Sequence, residues 1–303
     1  MFKHLIPLVV AVALAGCQAM TPADVANRVI KGGMVAAQGL FISEADEIRI
    51  GQETTAKVLA QMPEYPNPTV RDYVSRIGQQ MVAHSERKTL TYQFRVVQSG
   101  EVNAFAAPGG FIFVTTGALR LMKNEAQLAG VLGHEVGHVA KQHSINSIRQ
   151  TMLAQGVATA VLDGNNNQLI QTAANVGANL ILKGFDRGAE LESDQLGATY
   201  AYAAGYDPRE LGTFLDALRQ GSGEMPPWLV ATSDHPRTDD RLTKLSEYMT
   251  LKGMQPATMK LNEAEYRANV TANLSATDPT PVPAASATPA PAQSIPPGYS
   301  GMP

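Results

Sequence analysis

The segment His134-Glu135-Val136-Gly137-His138 contains the residue types of a hydrolytic metal site. Residues four apart lie on one face of an α-helix, so His134 and His138 can present two imidazole nitrogens to the same cation. Glu135 would border the open position of that cation, where a carboxylate can take a proton from a metal-bound water. The segment therefore predicts one Zn²⁺ per subunit and a catalytic Glu135 that acts as the general base.

The surrounding sequence predicts that this segment is helical and buried. Asn124 is a suitable N-cap, Gln127 follows three residues later, and Glu125 lies in the first turn, where the helix dipole favours an acid. Apolar residues recur at helical spacing along the segment: Leu128, Val131, Leu132, Val136 and Val139. A chance match to the five-residue pattern is the competing explanation, so further metal ligands are needed to support the site.

A second predicted helix carries two acidic candidates. Asp186 is its expected N-cap, and the helix should run to about Ala204 and stop at Gly205. Glu190 and Asp194 share one face, so Glu190 could be a third ligand while Asp194 accepts the outward N–H of a ligating histidine. Two histidines, one carboxylate and a water form an open catalytic zinc site, whereas a structural site is closed by four protein ligands.

Two polar residues near these motifs are predicted to lie outside the metal site. The third histidine of a metzincin motif would fall at Ser144, which excludes that pattern. His143 is instead expected to be a polar residue near a helix end, where it would favour the negative end of the dipole. Glu192 is expected on a solvated helix face.

Four motifs occur in the order in which one known family has them. They are residues 103–110 (Asn-Ala-Phe-Ala-Ala-Pro-Gly-Gly), residues 134–138, the pair Glu190 and Asp194, and His235-Pro236 followed by Arg241. Over roughly residues 43–250 the chain resembles the gluzincin metallopeptidases that include HtpX, the CAAX prenyl protease and LoiP-type bacterial lipoprotein peptidases. The resemblance implies a zincin-like fold, zinc on the two motif histidines and Glu190, and Glu135 as the catalytic base.

The resemblance also implies that His235 lies beside the zinc cleft. There its N–H could donate to the oxyanion that forms as water attacks the scissile carbonyl, which is a catalytic role. Alternatively, a neutral His235 could occupy the fourth position of the zinc and keep the enzyme latent. A surface histidine packed against Pro236 is the third option. We expect the first of these roles.

The pattern between the motifs predicts an α+β fold that is mainly helical, with a small sheet beside the HExxH helix. Ser43, Asn67-Pro68 and Asp207-Pro208 are expected helix starts. Residues 92–97 and 111–115 are rich in β-formers, with Asn103 to Ala106 between them and a Pro-Gly-Gly turn before the second run.

An exposed edge strand of this sheet could bind an extended peptide through main-chain hydrogen bonds that do not depend on sequence. The predicted substrate-binding residues are Asn103, Ala104 and Phe105. Which of the two β-rich runs lies at the edge is left open, and both could equally be core strands.

The amino terminus has the form of a secretory signal. Residues 5–14 are an apolar run too short to span a bilayer, and they follow Lys3. The run ends in Leu14-Ala15-Gly16-Cys17, which resembles a bacterial lipobox, and Cys17 is the only cysteine of the chain. We expect removal of residues 1–16 and lipidation of Cys17, with a small buried residue as the alternative. Gln18, rather than Asp, favours the outer membrane by resemblance to enterobacterial sorting.

Composition indicates one globular domain between a tether and a tail. The 303 residues are 44% hydrophobic, which is enough for a substantial core, and a net charge of −3 argues against nucleic-acid binding. We predict a lipidated tether over residues 17–42, a metallopeptidase domain over 43–270 and a disordered tail over 271–303, where Pro, Ala, Ser and Thr predominate. Residues 151–182 are predicted to form two packed helices and a polar turn, with a mobile lid as the alternative.

These observations predict a zinc endopeptidase of the bacterial periplasm, attached by lipid to the outer membrane. Its expected partners are unfolded or misfolded envelope proteins, bound as substrates. A chaperone or assembly factor that uses the same cleft with little turnover is the alternative, although an open three-ligand site with Glu135 favours catalysis. A lipoprotein without a metal would leave the four motifs unexplained, and the sequence does not predict the oligomeric state.

Overall fold

The computed structural model describes residues 42–154, 166–181, 184–221, 238–255 and 259–275. The helices are α1 (Glu44–Gln61), α2 (Pro68–Val82), α3 (Thr116–Leu121), α4 (Glu125–Ala140), α5 (His143–Ala154), α6 (Asn166–Ile181), α7 (Arg187–Ala203), α8 (Arg209–Gly221), α9 (Thr238–Leu251) and α10 (Glu263–Asn269). The strands are β1 (Gln93–Val97), β2 (Ala104–Ala107) and β3 (Phe111–Thr115). The predicted α+β class is confirmed.

Side-chain caps begin the helices at the predicted residues. Ser43, Asn67, Asn124 and Asp186 each accept a hydrogen bond from a backbone N–H in the first turn of α1, α2, α4 and α7, respectively. Each cap satisfies a donor that the helix itself leaves unpaired. Because the caps fix where α4 and α7 begin, they also fix which faces carry the histidines and the acids.

The sheet contains a third strand, formed by the segment between the two predicted β-rich runs. The strand order is β1-β3-β2, with β1 parallel and β2 antiparallel to β3. The predicted runs 92–97 and 111–115 correspond to β1 and β3, so the first is an outer strand and the second is central. The turn before β3 requires glycine, because Gly109 and Gly110 have φ values of 75° and 91°.

The motif helix α4 is the central helix of the fold. Every residue from Glu125 to Val139 is buried, as expected for a helix surrounded by other elements. At its start, the Glu125 carboxylate accepts hydrogen bonds from Tyr206 Oη and Asn262 Nδ2, both at 2.7 Å. At its end, Arg87 Nη1 donates to the carbonyl of Val139 at 3.3 Å. Polar contacts at both ends therefore fix the position of the helix.

Helices α4 and α7 approach each other closely because glycines face one another. A Cβ atom at Gly197 would lie 2.8 Å from the backbone nitrogen of His134, and one at Gly133 would lie 3.0 Å from the carbonyl oxygen of Gly197. Contacts this short exclude a larger residue unless a backbone moves. The glycines thus allow Glu190 of α7 to reach the histidines of α4.

Helix α6 packs in a separate apolar cluster. Its Ile170 and Ala173 lie with Ile50 of α1 and with Ile145 and Ile148 of α5. Within the segment 151–182, where two packed helices and a polar turn are predicted, the structure describes α6 and the last turn of α5, which begins before the segment; residues 155–165 lie outside the described ranges. The alternative of a lid stays untested.

The segment just after the predicted end of the domain at residue 270 contacts Tyr65 of the domain. Thr271–Asn273 form a 3₁₀ turn, and Tyr65 Oη donates to the Asn273 carbonyl at 2.7 Å and accepts the Ser275 N–H at 2.9 Å. A distant phenol thus orders a segment whose local composition is typical of a tail. At the other end of the domain, Ile42, the last residue of the predicted tether, is buried. Within the described ranges, no helix is long and apolar enough to cross a bilayer.

Candidate active site

Three side chains converge on one point between α4 and α7. Nε2 of His134 lies 3.0 Å from Nε2 of His138, and the Glu190 carboxylate lies 3.7 Å from each of these nitrogens. Of the residues that the structure describes, these are the ones whose ligand atoms could together hold a metal ion, and all three are buried. Two nitrogens bound at about 2.0–2.1 Å to a tetrahedral ion would lie about 3.3 Å apart, so the observed spacing fits a zinc-sized cation.

A buried cluster of Glu190, Asp194 and Arg241 lies behind His134, and we call it the acid–arginine cluster. Arg241 donates to both Asp194 oxygens, at 2.8 and 2.7 Å, and its Nη1 lies 3.1 Å from Glu190 Oε2. Asp194 Oδ1 lies 2.9 Å from His134 Nδ1, although the angle is too far from linear for a standard hydrogen bond. Asp194 therefore occupies the position expected for a residue that orients a ligating histidine.

The charges of this cluster stabilise one another. Burial alone would raise the pKa of Asp194, but the charge and hydrogen bonds of Arg241 lower this pKa to about 2. Burial likewise opposes charge on Arg241, yet Asp194 and Glu190 raise the pKa of the guanidinium. A buried ion group of this kind depends on every member being paired.

Glu135 has the opposite electrostatic environment. Burial raises the pKa of its carboxyl to about 7, against the lowering effect of His134 and with a further increase from Glu190. A carboxyl with a pKa near the working pH can both accept and release a proton. A bound cation would shift this carboxyl toward the charged form, which is the form required of a base.

The pKa values of the two histidines are also shifted in opposite directions. Burial and the nearby His134, His143 and Arg241 hold the pKa of His138 well below its usual value, so this ring is neutral. Burial also opposes charge on His134, but the adjacent Asp194 raises the pKa of this ring. Binding of a metal at His134 therefore competes with binding of a proton at that ring.

The surroundings of His138 contain residues that the sequence analysis assigned differently. His143 was expected near the end of a helix, but it is the first residue of α5, and its Nδ1 lies 2.9 Å from Nδ1 of His138. Glu192, expected on a solvated face, is half exposed, and its Oε2 lies 3.2 Å from His143 Nε2. Phe185 stacks on His138 with a centroid distance of 4.2 Å. The one sequence feature that could have indicated this contact is the position of His143, five residues after His138.

A mainly apolar cavity opens beside Glu135. Its apolar walls come from α4 and α8: Val131, Leu211, Phe214, Leu215 and Leu218. Of the predicted substrate-binding residues, Asn103 and Ala104 line this cavity. Phe105 does not, because side chains alternate along a strand and its ring stacks on Phe113 at 4.9 Å on the opposite side.

The free edge of β2 faces away from β3 at Ala104 and Ala106. The Asn103 carbonyl accepts the Thr115 N–H at 3.0 Å, so the backbone groups of the alternate residues point away from β3. The hydroxyl of Ser144 donates to the Ala106 carbonyl at 3.0 Å. Ala104 is therefore the position of this strand where an added peptide could pair.

Two predicted functional residues, His235 and Cys17, lie outside the described ranges. Their assigned roles stay predictions.

Comparison with known proteins gives a consistent family. The chain is 31% identical to mitochondrial metalloendopeptidase OMA1 of Schizosaccharomyces pombe over 67% of this chain and 61% of that protein. It is 24% identical to the beta-barrel assembly-enhancing protease of Escherichia coli K12 over 88% of this chain and 56% of that protein. Thus it spans less than two thirds of the length of these two relatives.

A shorter relative is covered almost completely. The chain is 26% identical to metalloprotease LoiP of Escherichia coli K12 over 83% of this chain and 98% of that protein. The sequence model of peptidase family M48 matches residues 68–249, which is more than half of the chain and includes every residue of the converging site. These matches confirm the predicted gluzincin resemblance, and the chain belongs to peptidase family M48.

Proposed function

We propose that this protein is a zinc-dependent endopeptidase. The observation that carries the proposal is the convergence of two imidazoles and Glu190 at one buried point, with Glu135 in the lining of an adjacent cavity. When bound, zinc supplies a Lewis acid for the scissile carbonyl and a water of lowered pKa. A ligand set of two histidines and one carboxylate suits this metal and leaves a position open.

In this proposal Glu135 moves the proton. The raised pKa of its buried carboxyl suits a group that first accepts a proton from the attacking water and then releases it to the leaving amine. The acid–arginine cluster keeps a fixed charge meanwhile, because Asp194 and Arg241 are paired to each other. Thus Glu135 transfers the proton, whereas Asp194 stays charged and orients His134.

The substrate would be an extended segment of protein. The free backbone groups of Ala104 could pair with a peptide without reading its sequence. The adjacent cavity has apolar walls of Leu211, Phe214, Leu215 and Leu218 and would accept an apolar side chain next to the scissile bond. Extended backbone and exposed apolar side chains occur together in unfolded or misfolded proteins, which are therefore the proposed substrates.

We place the enzyme in the bacterial cell envelope, attached to the outer membrane through lipidated Cys17. The signal-like residues 1–16 and the lipobox-like tetrapeptide support this location, as does the similarity to a beta-barrel assembly-enhancing protease. Labelling with a fatty acid should modify the wild type and not Cys17→Ala. Equal labelling of both proteins would exclude Cys17 as the lipidation site.

For His235 we propose the role of a donor to the oxyanion. His235→Ala should then lower turnover of a casein substrate about 10²–10³-fold, with zinc content unchanged. An increase in turnover would instead show that His235 inhibits the resting enzyme. Unchanged turnover would assign it no role in catalysis.

The central test combines metal analysis with proteolysis of unfolded casein. The purified full-length protein should contain one equivalent of zinc, cleave casein, lose cleavage after chelation and regain it with added zinc. Cleavage that survives complete removal of metal would contradict the proposal. A protein that retains zinc and suppresses aggregation of unfolded proteins without cleaving them would support the chaperone alternative.

A further inference from the structure

The two histidines of the site have different outer partners. Each ring directs Nε2 to the common point, so each Nδ1 faces outward. Behind His134 lies the carboxylate of Asp194, which is fully buried and paired with Arg241. Behind His138 lies the imidazole of His143. The outward nitrogen of His138 thus faces a different chemical group from that of His134.

We propose that His143 is a positioning residue for the metal ligand His138, and that Glu192 positions His143 in turn. The three side chains form a line of hydrogen bonds from the metal point to the protein surface, with separations of 2.9 and 3.2 Å. The proposal rests on the metal site described above, but it does not depend on peptidase activity.

The hydrogens on these rings follow from the binding of a cation at Nε2 of His138. Metal at that nitrogen leaves the proton of the neutral ring on Nδ1, which makes Nδ1 a donor. His143 Nδ1, at 2.9 Å, must then accept, so the proton of His143 lies on its Nε2. That N–H faces the Glu192 carboxylate at 3.2 Å. One arrangement of protons therefore satisfies all three groups.

The backbone turns sharply to bring His143 into this position. Gln142 has a φ of 58°, a left-handed conformation that is costly for a residue with a Cβ atom. Its N–H donates to the Val139 carbonyl at 3.1 Å, which closes the turn after α4. His143 then begins α5 with its side chain directed back toward His138. Strain of this kind persists where the surrounding structure requires it.

The same geometry argues against His143 as a fourth metal ligand. Its Nδ1 faces Nδ1 of His138, on the opposite side of that ring from the metal point. Its Nε2 faces Glu192, whose side chain is 47% exposed. Hence His143 acts through His138 and not on the metal.

The test compares two substitutions of His143 by the zinc dissociation constant of the full-length protein, measured by chelator competition. His143→Leu removes the acceptor and should weaken zinc binding about 10–100-fold. His143→Asn retains an acceptor oxygen near the position of Nδ1 and should restore affinity to within a few-fold of wild type. His84→Leu serves as the matched control, because His84 is exposed and does not belong to the metal site.

The outcomes separate positioning from general stability. Equal loss of zinc affinity in His143→Leu and His143→Asn, with matching losses of thermal stability without metal, would overturn the proposal in favour of a structural role. Unchanged affinity in His143→Leu would overturn it as well. If wild type binds no zinc, both this inference and the proposed function fail, whereas zinc-binding wild type with an unaffected His143→Leu contradicts only the inference.

A second measurement uses the wild-type protein and needs no variant to fold. Nitrogen NMR of histidine-labelled, zinc-loaded protein reports which ring nitrogen carries each proton. We expect the proton of His138 on Nδ1 and that of a neutral His143 on Nε2. A proton on Nδ1 of His143 would leave two donors facing each other and would overturn the proposal.

Discussion

On the two sides of the metal point, the pKa of a buried carboxyl is shifted in opposite directions. In the acid–arginine cluster, Arg241 lowers the pKa of Asp194 to about 2, whereas on the side of the apolar cavity burial raises the pKa of Glu135 to about 7. Both carboxyls are almost completely buried. Burial by itself therefore does not determine the state of an acid here. The nearest hydrogen-bond donors and charges decide it.

This contrast separates two requirements of a hydrolytic site. A carboxylate that orients a ligand must stay charged throughout the reaction, and paired donors on Asp194 provide that. A carboxyl that transfers a proton must change state at the working pH, which a neighbouring apolar cavity favours for Glu135. Substitutions on the two sides should therefore fail in different ways.

The largest expected effect is loss of the metal ligand from the acid–arginine cluster. Glu190→Gln should reduce bound zinc and casein cleavage to background, because the neutral amide replaces the one carboxylate that faces both imidazole nitrogens. Metal analysis and a cleavage assay measure this directly. Glu247→Gln on the exposed side of α9 is a matched control. Full zinc content in Glu190→Gln would remove Glu190 from the ligand set.

On the cavity side, substitution of Glu135 should abolish proton transfer without loss of the bound metal. Glu135→Gln should retain zinc and lose about 10²–10⁴-fold in turnover, which is the usual contribution of a general base. The measurement is the rate of casein cleavage at equal zinc content. A variant that cleaves casein at the wild-type rate would contradict the assignment of the base.

The lowered pKa of Asp194 predicts a stability contribution that acid removes. Because the folded pKa of about 2 lies below the ordinary 3.8, the contribution is present above pH 3.8 and disappears as the pH falls through about 2. Its size is on the order of 2 kcal/mol. In denaturant titrations without metal, Asp194→Asn should be less stable than wild type at neutral pH, and the gap should narrow toward pH 2. A gap that is constant with pH would contradict the pairing.

The raised pKa of Glu135 predicts the opposite trend. Because the folded pKa of about 7 lies above the ordinary 4.5, this acid costs nothing below pH 4.5 and destabilises the metal-free fold increasingly up to about pH 7. The Glu135→Gln protein should therefore be more stable than wild type at pH 8 and equal to it at pH 4. Identical stability of the two proteins at both pH values would show that Glu135 is better solvated than the structure indicates.

The smallest expected effect separates backbone packing from charge. Gly197→Ala should destabilise the metal-free protein by about 1–3 kcal/mol, because the added Cβ atom meets the backbone of His134. Gly212→Ala is the matched control, since its Cβ atom would meet Leu242 at an ordinary 3.6 Å. Denaturant titration of both variants measures the difference. Equal stability would mean that α4 and α7 can separate without cost.

Local sequence predicted most of the helix starts and the residues that converge. The spacing within 134–138 and the four-residue interval from Glu190 to Asp194 follow from helix geometry, and the cap residues fix the start of each helix. These properties depend on neighbours in sequence. For that reason one amino-acid sequence was enough to predict the helix starts and the spacing of the site residues.

The remaining features depend on contacts between distant segments. The third strand Ala104–Ala107 forms because β3 pairs with it, and its short Ala-Phe-Ala-Ala sequence has little strand signal of its own. The contact of His143 with His138 depends on the left-handed turn at Gln142, which no residue preference predicts. Phe185, which precedes α7, stacks on His138, and this contact depends on the packing of α7 against α4.

The contact between Ser144 and the Ala106 carbonyl has a kinetic consequence. Among the described residues it leaves Ala104 as the one β2 position with both backbone groups open for pairing, so a peptide bound as proposed would gain few main-chain hydrogen bonds there. A segment bound so weakly dissociates quickly, and a long unfolded chain can bind again at a neighbouring segment before it diffuses away. Chain length, more than any single sequence, would then determine how often a substrate is cut.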